Sequence, residues 1–478
     1  MNTAAKAVSW GRLKRRAFSL GAVKAFDKAT HFLLPVVLTR CLDAATFGEY
    51  RLLWLIVGTV MTLATLNMAG GLFFFVPRSD ARGKRLYIHH TMLFLAASGL
   101  VCGALVGPWN PLLPAAAAQM AQYGWLIPAF IALWVATFLL DHLPTIDERI
   151  RWQAYVTGSI SLLRMTMVAA AAWFTGELRA ILWALLAFVL VKLALLLYYV
   201  HRHHGLGGPW LERAAFARQF SHCAPFGVSN ALYALRAQTD QWVAASLFAL
   251  TSFAAFSVAA VVGQVVHILR QSVMEAFMPT LSRMHAAGDV AGLMTMNSRA
   301  NAMVGTALYP LLALAFAFAE DIISLVYTAA YVEAAPVMRV YIVGMIAMVV
   351  EVGSVVLLLR QGSFALRITA LALGVSVALS WSAAHWYGLA GAAAGSVAAI
   401  YLDRTLLLRR IARLTGIALR DLQQWRELVR LLAAAAACGL LAWFLVNQFL
   451  GGAAHLVRLA AGATVLFLAY VPLWRLTR

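Results

Sequence analysis

Charged side chains recur inside long apolar stretches of this sequence, where a charge is energetically costly. A Lys, Arg or Asp at mid-bilayer costs about 2.5–3.5 kcal/mol on insertion scales, so such a residue usually faces water or a partner. The first stripe at helical spacing holds Lys24, Asp27, Lys28 and His31. Ammonium and guanidinium groups at this depth suit an anion such as phosphate, which Arg binds through paired hydrogen bonds.

Later apolar segments carry stripes of the same kind. In each of them, residues three or four apart fall on one face of a helix. The predicted stripes and their neighbours are Thr157, Ser161 and Arg164; Lys192; Ser229, Tyr233, Arg236 and Asp240; Gln264, His267, Arg270, Gln271 and Glu275; and Glu351.

The elements that must position these residues are membrane-spanning helices. Hydrophobic residues make up 63% of the 478 residues, charged residues 12%, and mean hydropathy is +0.80. Because soluble domains average roughly 25% charged residues, this composition indicates an all-α integral membrane protein. We predict about fourteen transmembrane helices, at residues 18–40, 52–76, 87–106, 122–141, 153–174, 178–200, 222–247, 251–275, 300–322, 334–358, 364–386, 388–408, 428–450 and 455–475.

The basic residues lie mainly on one side of the predicted membrane. Of 38 Lys and Arg residues, 27 lie on the side of the N-terminus, four on the other side and seven within spans. This positive-inside pattern places both termini in the cytoplasm. It explains the formal net charge of +19 better than nucleic-acid binding does. The interior loop 409–427 is predicted to form an interfacial amphipathic helix.

This orientation gives each buried charge a depth and a predicted role. Cations in the cytoplasmic third could attract an anion and those near the middle could hold it, although the former could also snorkel to the interface. The acids are candidates for ion coupling or charge pairing, including the pairs Asp27–Lys28 and Asp240–Arg236. The predicted binding residues are Lys24, Lys192 and Arg270 in the cytoplasmic third, and Lys28, Arg164 and Arg236 near the middle. The acidic candidates are Asp27, Asp240, Glu275 and Glu351.

Two segments resemble each other at an offset of 206 residues. Residues 45–50 (Ala-Thr-Phe-Gly-Glu-Tyr) and 251–256 (Thr-Ser-Phe-Ala-Ala-Phe) each follow a predicted span, and we expect both in short exterior turns. The repeat favours a two-lobe, pseudo-symmetric transporter of helices 1–6 and 7–12 with two added C-terminal helices. The predicted divisions are an N-lobe at 1–205, a C-lobe at 206–415, and an amphipathic linker with helices 13 and 14 at 416–478.

Other residue clusters carry no clear catalytic or metal-binding signature. The four cysteines lack CxxC spacing, so neither a disulfide framework nor a zinc site is indicated. His201, His203, His204 and His222 resemble a metal tract in composition only, and a basic interfacial loop is the favoured interpretation. A Walker-type phosphate loop is missing, so we predict no direct ATP hydrolysis by this chain. We also predict no enzymatic activity and no cofactor. The candidate energy sources for transport are a proton gradient, a sodium gradient and the membrane potential.

A series of motifs also occurs in a fixed order between about residues 15 and 415. The motifs include Thr-Arg-Cys-Leu at 39–42, Thr-Phe-Gly-Glu-Tyr at 46–50, Gly-Gly-Leu at 70–72, Gln-Thr-Asp-Gln at 238–241, Phe-Ala-Ala-Phe-Ser-Val-Ala at 253–259, Met-Pro-Thr-Leu-Ser-Arg-Met at 278–284 and Tyr-Gly-Leu-Ala-Gly-Ala-Ala at 387–393. This order resembles the polysaccharide (O-antigen) flippases of the multidrug/oligosaccharidyl-lipid/polysaccharide exporter superfamily.

The resemblance implies a fold like that of the MATE transporters, working by alternating access in a bacterial inner membrane. The implied substrate is an undecaprenyl-diphosphate-linked oligosaccharide repeat unit, moved from the cytoplasmic to the periplasmic leaflet. The transported repeat units would be used in the biosynthesis of O-antigen lipopolysaccharide, capsule or exopolysaccharide. The implied partners are this substrate, the lipid bilayer and the polysaccharide polymerase or export machinery, and not nucleic acid.

Four other functions remain open at this point. A multidrug exporter of the same fold would need acidic residues for cationic drugs, whereas the predicted cavity is net basic. A lipid II flippase is a close relative. A membrane-embedded glycan polymerase or ligase would need a large exterior loop with charged catalytic residues, and the exterior loops here are short and nearly uncharged. A structural scaffold would not need so many buried charges.

Overall fold

The protein folds as helices joined by turns. The computed structural model describes residues 29–111, 115–260 and 262–476, and no strand occurs within these ranges. Nine helices in this part of the chain are long and apolar enough to cross a membrane, and three shorter apolar helices accompany them. The predicted all-α membrane fold is confirmed, and the count of about fourteen spans stays a prediction.

The chain divides into two compact units, one ending at Ala234 and the other beginning at Leu235. The division falls within a long helix, and the predicted lobe boundaries at 205 and 415 stay predictions. Helices of the first unit are α1 (Ala29–Cys41), α2 (Ala44–Thr65), α3 (Met68–Phe75), α4 (Ala81–Val106), α5 (Ala115–Ala118), α6 (Leu126–Ala136), α7 (Leu143–Ile146), α8 (Ile150–Thr175), α9 (Leu178–His203) and the first part of α10 (Arg213–Leu247).

The second unit contains the end of α10 and nine further helices. Several of them are pieces of predicted spans interrupted by short breaks. These helices are α11 (Leu250–Ala259), α12 (Val262–Ala286), α13 (Val290–Ala317), α14 (Ala319–Val326), α15 (Ala334–Met348), α16 (Gly353–Leu358), α17 (Gly362–Thr415), α18 (Trp425–Leu450) and α19 (His455–Leu476).

The two similar segments at 45–50 and 251–256 lie inside helices, so the prediction of exterior turns was wrong. Helix α2 begins at Ala44 because the Asp43 carboxylate accepts the backbone N–H of Thr46 at 2.8 Å, as an N-cap residue does. Helix α11 begins at Leu250, and 250 − 44 gives the same offset of 206 residues. The repeat in the sequence therefore marks the first turns of two corresponding helices.

The second predicted span is broken between α2 and α3. Leu66 and Asn67 both adopt left-handed backbone conformations, with φ of 39° and 59°, which end one helix and start the next. Gly227 on α10 lies against this break, and a Cβ atom there would come within 2.5 Å of the Leu66 backbone. The missing side chain thus permits a backbone-to-backbone contact inside the first unit.

Two predicted spans at 364–386 and 388–408 form one sharply folded hairpin within α17. Gly388 supplies the reversal, with φ of 61° and ψ of −143°, a region that only glycine adopts readily. The two arms of the hairpin pack against each other, as the 3.1 Å distance between the Ser376 and Ser396 hydroxyls shows. The predicted tight turn near residue 387 is therefore confirmed.

Gly388→Ala is expected to destabilise this hairpin, because a side chain at this backbone conformation adds strain of about 1–3 kcal/mol. The thermal unfolding midpoint of the purified protein in detergent measures the effect. Gly374→Ala is the matched control, since Gly374 lies in the same helix with open space beside it and no positive φ. An equal decrease of the unfolding midpoint in both variants would contradict the role of Gly388 in the reversal.

The interior segment 409–427 does not form a separate amphipathic helix, so that prediction was wrong. Helix α17 continues to Thr415 and stops at Gly416, whose φ of 71° is the left-handed conformation that commonly ends helices. Residues 416–424 form turns, and α18 begins at Trp425. Leu422 and Gln423 in these turns are buried, which fixes the connection against the second unit.

Candidate substrate-binding site

Part of the predicted site lies outside the residues that the structure describes. Lys24, Asp27 and Lys28 precede residue 29, so their roles stay predictions. Glu275 belongs to α12, but the structure does not describe its side chain. The remaining predicted residues divide between the two units and are placed within each.

Arg164 lies at the middle of α8, as its depth in the fifth predicted span requires. It shares the inward face of this helix with Gln153 and Ser161, and its side chain is only 5% exposed. The Gln153 amide donates to the Thr157 hydroxyl at 2.9 Å on the same face. Arg164 is also close enough to Tyr50 of α2 for its charge to act on that hydroxyl. Ser161 and Arg164 of the predicted polar stripe therefore lie on a buried face of α8, and their role in binding stays a prediction.

Lys192 of α9 is paired with an acid that the sequence analysis did not connect to it. Its ammonium lies 2.8 Å from a carboxylate oxygen of Asp141, and the Trp134 ring lies beneath it at 5.3 Å. The lysine side chain is 6% exposed and the aspartate 38%. Because a counter-ion already balances the charge, this geometry favours a structural role for Lys192 over anion binding.

Asp240 of α10 is the most deeply buried of the described acidic candidates, at 3% exposure. Its carboxylate accepts the Tyr341 hydroxyl from α15 at 2.8 Å and the backbone N–H of Gln241 at 2.8 Å. The Ser396 hydroxyl of α17 is a further hydrogen-bonding neighbour. Arg236, one turn earlier on α10, is partly buried. Asp240 thus joins three helices of the second unit through polar side chains.

Arg270 of α12 contacts the end of α15, where the tenth predicted span is broken between α15 and α16. Its guanidinium donates to the Met348 carbonyl at 3.3 Å, at the end of α15, and its side chain is buried. The last carbonyls of a helix have no partner within the helix, so a cation there satisfies them and the helix dipole together. This contact favours a structural role for Arg270.

Glu351 lies in the same break, between α15 and α16. Its carboxylate accepts the backbone N–H groups of Gly353 at 2.6 Å and Ser354 at 3.4 Å, which are the first N–H groups of α16. A carboxylate at a helix N-terminus is stabilised by those donors and by the helix dipole. The geometry therefore assigns Glu351 to capping the start of α16. Asp240 is the other acidic candidate whose side chain the structure describes, and it makes no such helix-end contact.

The sequence of this chain matches a known protein family. The family described as "Polysaccharide biosynthesis protein" matches residues 37–336, which is more than half of the chain. The chain belongs to this polysaccharide biosynthesis protein family. The resemblance stated from the motifs is thereby confirmed at the level of the family. No protein of curated function matches the sequence.

Solved structures of two transporter types share the fold of this family member. "Lipid II flippase MurJ, inward closed conformation" aligns with a TM-score of 0.70 and 11% identity, over 96% of this chain and 99% of that one. An inward-facing MATE multidrug transporter of the MOP superfamily aligns with a TM-score of 0.63 and 13% identity, over 81% and 96%. The MATE transporter DinF-BH aligns with a TM-score of 0.57 and 14% identity, over 83% and 95%. These likenesses confirm the MATE-like fold.

A buried amide cluster in the second unit was missed by the sequence analysis. Asn297 and Asn301 of α13 both donate to the Glu351 carbonyl, at 3.2 and 3.1 Å. Gln423 donates to Asn297 and accepts from Asn301, at 3.2 and 3.0 Å. The cluster satisfies backbone groups freed by the break between α15 and α16. Two asparagines four residues apart at the start of the ninth predicted span, Asn297 just before it and Asn301 within it, were the available signal.

The histidines that resemble a metal tract take part in separate contacts. His204 lies 2.7 Å from the Asp147 carboxylate, and His222 stacks on the Phe74 ring with centroids 4.5 Å apart. Burial raises the pKa of Asp147, but hydrogen bonds from His204 and Tyr199 outweigh it and leave that pKa below its ordinary value. No group of three metal-capable side chains assembles in the described ranges.

Asp141→Asn is expected to destabilise the protein by about 1–3 kcal/mol, because it leaves the buried Lys192 ammonium without its counter-ion. The thermal unfolding midpoint in detergent measures the loss. The double variant Asp141→Leu with Lys192→Leu should recover most of it, since both charges are then removed. If the single variant unfolds at the wild-type temperature, the pair has no structural importance.

Proposed function

We propose that this protein is a flippase for lipid-linked oligosaccharides. It moves undecaprenyl-diphosphate-linked polysaccharide repeat units from the cytoplasmic to the periplasmic leaflet by alternating access. Membership of a polysaccharide biosynthesis family supports the glycan, and the fold shared with a lipid II flippase supports a lipid-linked substrate. The buried guanidinium of Arg164 at the middle of α8 is the observation that carries the proposal.

The charge of the diphosphate determines what the protein must supply. Moving phosphate charge out of water costs several kcal/mol per ion unless cations and hydrogen bonds compensate. Arg164 and Arg236 are the proposed compensating groups, because the fifth and seventh predicted spans place both near the middle of the membrane. Lys24 and Lys28 of the first predicted span remain proposed contributors. The lipid tail would stay in the bilayer, which avoids the cost of exposing it to water.

Asp240 is the proposed coupling residue for a proton or sodium ion. A carboxylate that joins α10, α15 and α17 can change its hydrogen bonds to two other helices when it binds a cation. In a transporter with two conformations, such a change of hydrogen bonds can favour one conformation over the other. Glu351 is not proposed for this role, because its oxygens hold the start of α16.

Deleting the gene in its native host tests the proposed function. We expect loss of one surface glycan and accumulation of its lipid-linked repeat unit in the cytoplasmic leaflet. Restoration of both by the wild-type gene is the control. Normal glycan with increased sensitivity to cationic drugs would instead favour the multidrug exporter, and arrested cell-wall synthesis would favour the lipid II flippase.

A further inference from the structure

A groove runs along the second unit between α13, α15 and α18, apart from the buried charges described above. Its volume is about 720 Å³, within the range of about 300–1,000 Å³ of pockets that hold small molecules. Each wall is one helical stripe with residues three or four apart. The walls include Leu312 and Phe316 of α13, Val343 of α15, and Ala436, Leu440 and Trp443 of α18.

The groove has the depth of a single leaflet. On α18 it extends from Leu432 to Asn447, which is about 22 Å at 1.5 Å per residue. Half of a bilayer including its headgroup region is also about 20–22 Å. A whole phospholipid of one leaflet, with its headgroup at the mouth and its acyl chain toward the inner end, therefore matches the length of the groove.

Charged residues gather only at one end of the lining, which is the end that the basic-residue distribution predicts to be exterior. Arg339 donates to the Glu320 carboxylate and to the Phe316 carbonyl, both at 3.2 Å. The Glu320 side chain remains 58% exposed and that of Arg339 31%. The mouth thus presents one accessible anion and one accessible cation side by side.

The neighbouring acid at this mouth is already neutralised. Asp321 lies 2.9 Å from Arg458 and 2.7 Å from His455, and its side chain is 6% exposed. Arg458 also donates to the Asn447 amide oxygen at 2.8 Å. These contacts fix α19 to α14 and α18, and they leave the Glu320–Arg339 pair as the part of the mouth open to a ligand.

We propose that this groove binds a zwitterionic phospholipid with a primary amine in its headgroup, from the leaflet at the predicted exterior side. One acyl chain lies along α13 and α18, the phosphate contacts Arg339, and the amine contacts Glu320. A headgroup with both charges matches both groups of the mouth. A purely anionic lipid would satisfy Arg339 but would meet repulsion from Glu320.

Native mass spectrometry of the purified, delipidated protein tests the assignment, with phosphatidylethanolamine and phosphatidylglycerol added separately. We expect one phosphatidylethanolamine to be retained more tightly than phosphatidylglycerol. Glu320→Gln should weaken phosphatidylethanolamine about tenfold and remove the preference. Ala436→Phe, which fills the groove, should abolish retention of that lipid.

Ala437→Phe is the matched control, because Ala437 is also exposed on α18 but is not part of the groove wall. It should bind lipid like the wild type. Equal retention of the two lipids by the wild type, or retention unaffected by both Ala436→Phe and Glu320→Gln, would overturn the proposal. Circular dichroism of each variant distinguishes a lost site from a lost fold.

Discussion

Replacing Arg164 and Arg236 together by Ala should abolish transport, with lipid-linked repeat units accumulating in the cytoplasmic leaflet and the surface glycan lost. Without these two cations, the diphosphate would enter the protein with much of its charge uncompensated. A penalty of only about 3 kcal/mol already reduces the population of the bound state more than a hundredfold. Quantifying the accumulated lipid-linked unit in cells measures the effect, and each single variant should show a smaller defect.

Each arginine has a matched control on its own helix. Arg151 on α8 and Arg218 on α10 are both exposed, so Arg151→Ala and Arg218→Ala remove the same charge without emptying a buried position. Both controls should transport normally. Normal glycan in the double variant, at wild-type protein levels in the membrane, would contradict a role for these guanidinium groups.

The second large effect is expected from Asp240→Asn. The amide preserves the shape and can still accept from Tyr341, but it cannot carry the negative charge that a bound cation requires. We expect transport to lose its dependence on a proton or sodium gradient, while binding of the lipid-linked substrate is retained. Transport by protein in vesicles, measured with and without an imposed gradient, tests this directly.

Glu351→Gln is the control for this experiment. It should lower the thermal unfolding midpoint, because a neutral amide caps α16 less well than a carboxylate does. Its transport should still respond to the gradient. Gradient-driven transport that persists in Asp240→Asn and is lost in Glu351→Gln would reverse the two assignments.

Local patterns in the sequence were sufficient to predict most of the helices. Apolar length alone predicted the helices near 87–106, 153–174 and 178–200, since membrane helices satisfy their backbone groups internally. The tight reversal near residue 387 was predictable because Gly388 stands between two apolar runs. The stripe ending at Arg164 followed from helical spacing, which depends only on the residue's own helix.

Contacts between distant segments could not be predicted in this way. Asp141 and Lys192 are 51 residues apart, and Asp240 and Tyr341 are 101 apart, so no local spacing connects them. Helical spacing also could not predict that Asp240 is hydrogen-bonded to Tyr341 of another helix, and the Asp240–Arg236 pair stays a prediction. The breaks at Leu66–Asn67 and 349–352 depend on partners such as Gly227 and Asn301 that lie elsewhere in the chain.

The most direct test of the flippase proposal uses the purified protein in vesicles that contain a labelled undecaprenyl-diphosphate oligosaccharide. A membrane-impermeant glycosidase then measures how fast the headgroup crosses from one leaflet to the other. We predict rapid crossing with wild-type protein and with Arg151→Ala, and crossing at the rate of protein-free vesicles with Arg164→Ala plus Arg236→Ala. Wild-type protein that leaves the headgroup on its original side under every imposed gradient would contradict the proposal.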